Sequence, residues 1–265
     1  MVDNASPEGD QTEFECSPGF AWAVHVFTSL GIVATFLGLL SVLDGSPRAA
    51  ILWLTVAMII DGLDGPIARK YRISQVIPHI DGNSLDLMID YSACVVAPAV
   101  FLHRFLLHGD TWSLPLVGLV LVSSLYLMSN KDIQTPDAYF RGFPAMWNLV
   151  IACLFALQSP HVVTKVVVVT LVVFTFVPVK FVHPIRVRDF RLVTIPVLVV
   201  WLASQLYVVW ILDDETAGCS KSCLPATARV AQFFIYLGAA WIVGVGLWRT
   251  FRGDPPEPAD AHPSR

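Results

Sequence analysis

The sequence predicts an all-α, polytopic membrane protein of eight transmembrane helices. Three observations carry that prediction. Of 265 residues, 55% are hydrophobic and only 14% charged, where an ordinary soluble domain has about 25% charged residues. Mean hydropathy is +0.64. The apolar residues also gather into long runs, near the roughly 20 residues that cross a bilayer as a helix. These features exclude a disordered chain, a disulfide-stapled mini-protein and a typical cytosolic enzyme. A formal net charge of −4 suggests no nucleic-acid partner. A β-barrel is excluded because the runs are too long and lack period-two alternation.

The eight runs lie at about 20–43, 49–69, 83–107, 112–130, 142–158, 161–180, 190–212 and 226–248. The connectors are short and carry breakers, such as Asp44-Gly45-Ser46-Pro47 and His108-Gly109-Asp110. No charged linker sets off a soluble domain, so residues 20–252 read as one membrane-embedded catalytic domain. Residues 1–19 form a polar, acidic segment without Lys or Arg. Lacking a basic n-region, this segment is not expected to be cleaved as a signal peptide. Residues 253–265 are rich in Pro and Asp and are expected to be disordered.

Basic residues orient the bundle. With both termini cytoplasmic, twelve of the seventeen Lys and Arg fall on the inner side, from Arg69, Lys70 and Arg72 to Arg249, Arg252 and Arg265. The outer side keeps Arg48, Arg104, Lys165, Lys221 and Arg229. This bias places a bacterial version in the inner, cytoplasmic membrane. Cys94 and Cys153 fall within spans as small apolar packing residues. Cys219 and Cys223 share an outer loop, where a disulfide is the favoured reading over free thiols.

The chemistry concentrates at one place. The second run ends in Asp61-Gly62-Leu63-Asp64-Gly65-Pro66-Ile67-Ala68-Arg69, and the third begins with Gly82-Asn83-Ser84-Leu85-Asp86-Leu87-Met88-Ile89-Asp90. Asp61 and Asp64 are three apart on one helix face, and Asp86 and Asp90 are four apart on another, with Gly82 on the same stripe. A short loop makes the two helices antiparallel neighbours, so the pairs can converge. Carboxylates about 5 Å apart repel by roughly 3 kcal/mol at an effective dielectric near 20. Divalent metal resolves this: hard oxygen ligands suit Mg²⁺ or Mn²⁺, and four Asp could hold two ions with phosphate oxygens completing the shell. Gly65, Ala68 and Gly82 are small enough for a bulky ligand to approach the backbone, and Arg69 offers a cation to a phosphate. The alternative is a divalent-cation transporter, but acids gathered at one membrane face disfavour a path through the midplane.

These residues match, at every fixed position, the signature D-x2-D-G-x2-A-R-x(n)-G-x3-D-x3-D, and so the stretch resembles the CDP-alcohol phosphotransferase family. The matching positions are Asp61, Asp64, Gly65, Ala68, Arg69, Gly82, Asp86 and Asp90. The gap from Lys70 to Asp81 is longer than in most of the family. In this it looks like the family's bacterial phosphatidylcholine synthase subgroup, which also has eight spans. The segment Phe140-Arg141-Gly142-Phe143-Pro144-Ala145-Met146-Trp147-Asn148 is similar to that subgroup and to phosphatidylserine synthases, and Ala21-Trp22-Ala23-Val24-His25 also looks like the subgroup.

The resemblance implies a phospholipid-synthesising transferase that moves the phosphatidyl group of CDP-diacylglycerol to choline and releases CMP. It implies Asp61, Asp64 and Asp86 as metal ligands, Asp90 as general base and a further ligand, and Gly65, Ala68, Arg69 and Gly82 as the lining of the cytidine diphosphate site. A homodimer embedded among membrane lipids goes with the family. Serine, inositol or glycerol phosphate are the alternative acceptors. Choline's quaternary ammonium calls for an aromatic cage. The candidate walls are Tyr91, Tyr126, Tyr139, Phe143 and Trp147, with Phe140 near them. Lys131, Arg141, Arg186 and Arg191 are candidates for the lipid phosphate, within a basic set that includes Lys180, His183 and Arg188; the positive-inside rule alone would also explain these residues. His25, inside the first span, reads as packing between helices.

Overall fold

The computed structural model describes residues 17–130, 139–181, 190–212 and 224–252. The chain is almost entirely helical: α1 (Pro18–Leu43), α2 (Pro47–Lys70), a single turn α3 (Ile73–Val76), α4 (Gly82–Leu106), α5 (Ser113–Met128), α6 (Trp147–Ala156), α7 (His161–Phe176), α8 (Arg191–Ile211) and α9 (Ala226–Arg252). Among the described residues, α1, α2, α4, α8 and α9 are long and apolar enough to cross a membrane. The other three apolar helices, α5, α6 and α7, are shorter. The chain is thus a multi-pass, all-α membrane protein, with each expected run occupied by a helix.

The differences from expectation have local causes. The fifth run starts at Trp147 rather than 142, because Gly142 and Ala145 take positive φ on either side of Pro144. The sixth stops at Phe176 because Val177 precedes Pro178 and is driven to an extended ψ of 136°. The freed segments pair instead: β1 (Phe140–Arg141) lies antiparallel to β2 (Lys180–Phe181), with Phe140 opposite Phe181 and Arg141 opposite Lys180. Alternation over two residues leaves no signal in a sequence, so this ribbon was not expected. It is pinned to the last helix, where the Lys180 amide donates to Thr250 Oγ1 at 2.8 Å.

Packing follows membrane rules. Large apolar side chains such as Val26, Phe36, Val122, Val166 and Leu192 face outward, where lipid would cover them. Small residues line the helix contacts. On α1 the buried stripe is Ala21, Val24, His25, Thr28, Gly31, Ala34, Thr35, Gly38 and Val42, which meets α2 and α4. Gly31 abuts Ile89 of α4, and Gly38 abuts Leu54 of α2. The middle of α4 touches α1, α2, α5 and α6 and holds the centre of the core. Two stretches of α4, Ser92–Val96 and Leu102–Leu106, are π-helical. Cys94 and Cys153 are free thiols packed partly buried against this core. The loop between α4 and α5 is tied to α7 by Lys165, whose Nζ lies 2.8 Å from Asp110 Oδ2 and holds that carboxyl below the usual carboxylate range.

The α8–α9 hairpin depends on one glycine. Trp201 donates its indole N–H to the Ile235 carbonyl at 3.0 Å, and a Cβ on Gly238 would lie 2.6 Å from Trp201 Cγ. Gly238→Ala is expected to destabilise the protein by about 1–3 kcal/mol through overpacking, read as a lower thermal midpoint in detergent. Gly244→Ala, where a Cβ meets nothing within 4 Å, should leave the midpoint unchanged. Equal midpoints for both variants would refute this account of the hairpin.

Candidate metal and nucleotide site

The site is assembled where α2 ends and α4 begins. Near its end α2 contains Pro66, which has no N–H for the Gly62 carbonyl. The helix closes at Tyr71, and Arg72 takes a left-handed φ of 49°. The long connector then folds back rather than looping free. Ile73 and Ile77 are buried against Ala21 and Val24 of α1, and Tyr71 meets Phe20 edge-on at 4.8 Å between ring centroids. Asp81 caps α4 by accepting from the Asn83 amide at 3.1 Å and the Ser84 hydroxyl at 2.5 Å. The Ser84 bond holds the Asp81 carboxyl below its ordinary range. This cap fixes where the Gly82–Asp86–Asp90 stripe begins.

Asp61, Asp86 and Asp90 converge. Each offers a carboxylate oxygen, and those oxygens lie within 4.8 Å of one another, all three residues half-buried. Asp61 and Asp90 meet carboxyl to carboxyl. Asp64 stands outside this trio, only 4% exposed, beside Thr28 of α1. Its Oδ1 is buried without a hydrogen-bond partner among the described residues. A cavity of about 580 Å³ opens beside the cluster, in the usual range for a ligand site. It is lined by Asp64, Gly65, Ala68 and Arg69 of α2, Gly82 and Asp86 of α4, His25 and Thr28 of α1, and the connector. The Arg69 guanidinium folds back over Gly65, where a Cβ would lie 3.1 Å from Nη1. An all-oxygen donor set with one orphaned buried carboxylate oxygen fits a hard divalent cation.

The expected aromatic wall lies elsewhere. None of the five aromatic candidates lines this cavity. The Tyr91 hydroxyl donates to the Leu121 carbonyl at 3.1 Å. Tyr126 is exposed beside Phe176. Tyr139 is fully buried, under the Arg249 guanidinium. Phe143 packs edge-on against both Trp147 and Phe181, and Trp147 donates to Ser124 Oγ at 2.9 Å. Of the basic candidates, Arg141 on β1 and Arg191 at the start of α8 are exposed. Lys131, Arg186, His183 and Arg188 lie outside the described residues, as do Cys219, Cys223 and the segments 1–16 and 253–265. Sequence reasoning did not place His25 and Thr28 in the site. Their only sequence signal is a pair of polar residues three apart in an apolar helix.

Residues 23–178 match the family model described as CDP-alcohol phosphatidyltransferase, and the chain belongs to that family. It is 38% identical over 232 residues to a phosphatidylcholine synthase of Pseudomonas aeruginosa, covering 88% of this chain and 92% of that protein. It is 35% identical over 196 residues to the phosphatidylcholine synthase of Rhizobium meliloti, covering 74% and 81% respectively. A phosphatidylcholine synthase of Borreliella burgdorferi is 29% identical over 222 residues, covering 84% of this chain and 93% of its own.

Proposed function

We propose that this protein transfers the phosphatidyl group of CDP-diacylglycerol to choline, producing phosphatidylcholine and CMP. The observation that carries this reading is the convergence of Asp61, Asp86 and Asp90 within 4.8 Å beside a cavity floored by Gly65, Ala68, Arg69 and Gly82. Choline as acceptor rests on the likeness to the phosphatidylcholine synthases.

Asp90 takes the proton of the choline hydroxyl as its oxygen attacks the phosphorus that bears diacylglycerol. The bond from that phosphorus to the bridging oxygen breaks, and CMP leaves. Arg69 meets the pyrophosphate as a fixed cation, and Gly65, Ala68 and Gly82 leave room for it against the backbone. Asp61, Asp86 and Asp90, with Asp64, would hold Mg²⁺ or Mn²⁺ in one or two sites; when bound, the metal neutralises the pyrophosphate and favours CMP as leaving group. Arg141 and Arg191 lie toward the same membrane face and would hold lipid phosphate.

The site then belongs at the cytoplasmic face of the inner membrane, with both termini inside and α5, α6 and α7 completing eight crossings of a catalytic unit spanning 20–252. The acyl chains stay in the bilayer while the headgroup reaches the helix ends, which gives the polar cluster its position at the interface.

The test is release of CMP from CDP-diacylglycerol by the purified protein with Mg²⁺ or Mn²⁺. Choline is expected to trigger release and serine is not. Release with serine, inositol or glycerol phosphate instead would move the acceptor assignment within the family. No release with any alcohol would overturn the transferase reading.

A further inference from the structure

We infer that His25 of α1 is a nucleoside-binding residue of the site, hydrogen-bonding the cytidine of the activated lipid through Nε2; this rests on the function proposed above. His25 is 8% exposed, lines the cavity, and its Nε2 is buried with no hydrogen-bond partner among the described residues. A buried imidazole nitrogen left unpaired is costly, and in a wet, ligand-sized cavity the group that meets it is the ligand.

The position of the ring selects which part of the ligand that is. His25 packs beside Gly82, where a Cβ would lie 3.6 Å from Cε1. Gly82 is one turn of α4 before Asp86, about 6 Å along the axis, on the side away from Asp90. Thr28, one turn further along α1, is the residue beside Asp64. The carboxylates and Arg69 therefore occupy the phosphate level, and His25 stands a turn nearer the helix ends, where the nucleoside of a bound cytidine diphosphate must extend. The ring is held from behind by Trp22, edge-on at 6.4 Å between centroids, and Trp22 in turn meets His79 of the connector at 6.3 Å. A residue kept for packing alone would not need its outer nitrogen aimed at open volume.

The experiment is equilibrium binding of CMP, and separately of inorganic pyrophosphate, to the full detergent-solubilised chain with Mg²⁺. His25→Phe keeps the ring and removes the nitrogen. It is expected to weaken CMP about tenfold, the scale of one neutral hydrogen bond in a closed site, and to leave pyrophosphate affinity unchanged. His25→Gln, whose carboxamide reaches the Nε2 position, should restore most of the CMP affinity, whereas the shorter His25→Asn should not. The Gln–Asn comparison decides the matter even where His25→Phe does not fold. Wild-type CMP affinity in His25→Phe or His25→Asn, or an equal loss for CMP and pyrophosphate, would overturn the assignment. A wild-type chain that binds neither CMP nor pyrophosphate would instead overturn the proposed function.

Discussion

Asp90→Asn is expected to cut choline-dependent release of CMP by about a thousandfold, the middle of the range for losing a positioned general base. The substitution keeps size and shape but cannot accept a proton. Three carboxylate oxygens within 4.8 Å of one another also repel when ionised, by about 3 kcal/mol per pair at an effective dielectric near 20. Removing one charge relieves that strain, so in chelator the variant should melt at a higher temperature than the wild type. The two effects have opposite signs, and a merely structural Asp90 would not produce both. Near-normal turnover in Asp90→Asn would remove the base from the mechanism. A melting point that falls with activity would mean that the cluster is holding the fold together instead.

Chelation is the second large effect. Turnover by the wild-type protein should become undetectable in excess EDTA and return on adding Mg²⁺ or Mn²⁺ beyond the chelator. The same additions should raise the thermal midpoint, because a cation that binds the folded cluster stabilises it by mass action. The increment should shrink in Asp61→Asn, which takes a donor from the converging trio. Full activity after exhaustive chelation would show that Asp61, Asp86 and Asp90 are not a metal site. Activity that depends on metal, with a midpoint insensitive to it, would place the ion on the substrate rather than on the protein.

The helix positions could be read from sequence because each run is bounded by residues with a physical reason to stop it. Asp44-Gly45-Ser46-Pro47 and His108-Gly109-Asp110 fall between helices as expected. The fixed offsets within 61–90 were informative because a helix turns spacing into direction: offsets of three and four set side chains on one stripe. The long gap after Arg69 was visible as a length, but not as a shape. Its folding onto Ala21 and Val24 through Ile73 and Ile77 is a tertiary event without local pattern. The aromatic candidates were drawn from proximity in sequence to the motif. In the fold, Trp147, Phe143 and Tyr139 fill the bundle, because large rings near a membrane surface serve packing as readily as recognition. His25 was hidden for the opposite reason: a single polar residue in an apolar helix looks the same whether it faces a neighbour or a ligand.

The two wide turns in α4 break the regular phase of that helix. Each admits one residue more than an α-helical turn, so the direction set by Gly82, Asp86 and Asp90 cannot be extrapolated in steps of four beyond Val96. A chain shortened by a single residue within Ser92–Val96 would rewind the helix and rotate its remainder by about 100°. Phe101 and Leu102, now enclosed at the centre of the bundle, would swing toward lipid while the acidic end stayed in place.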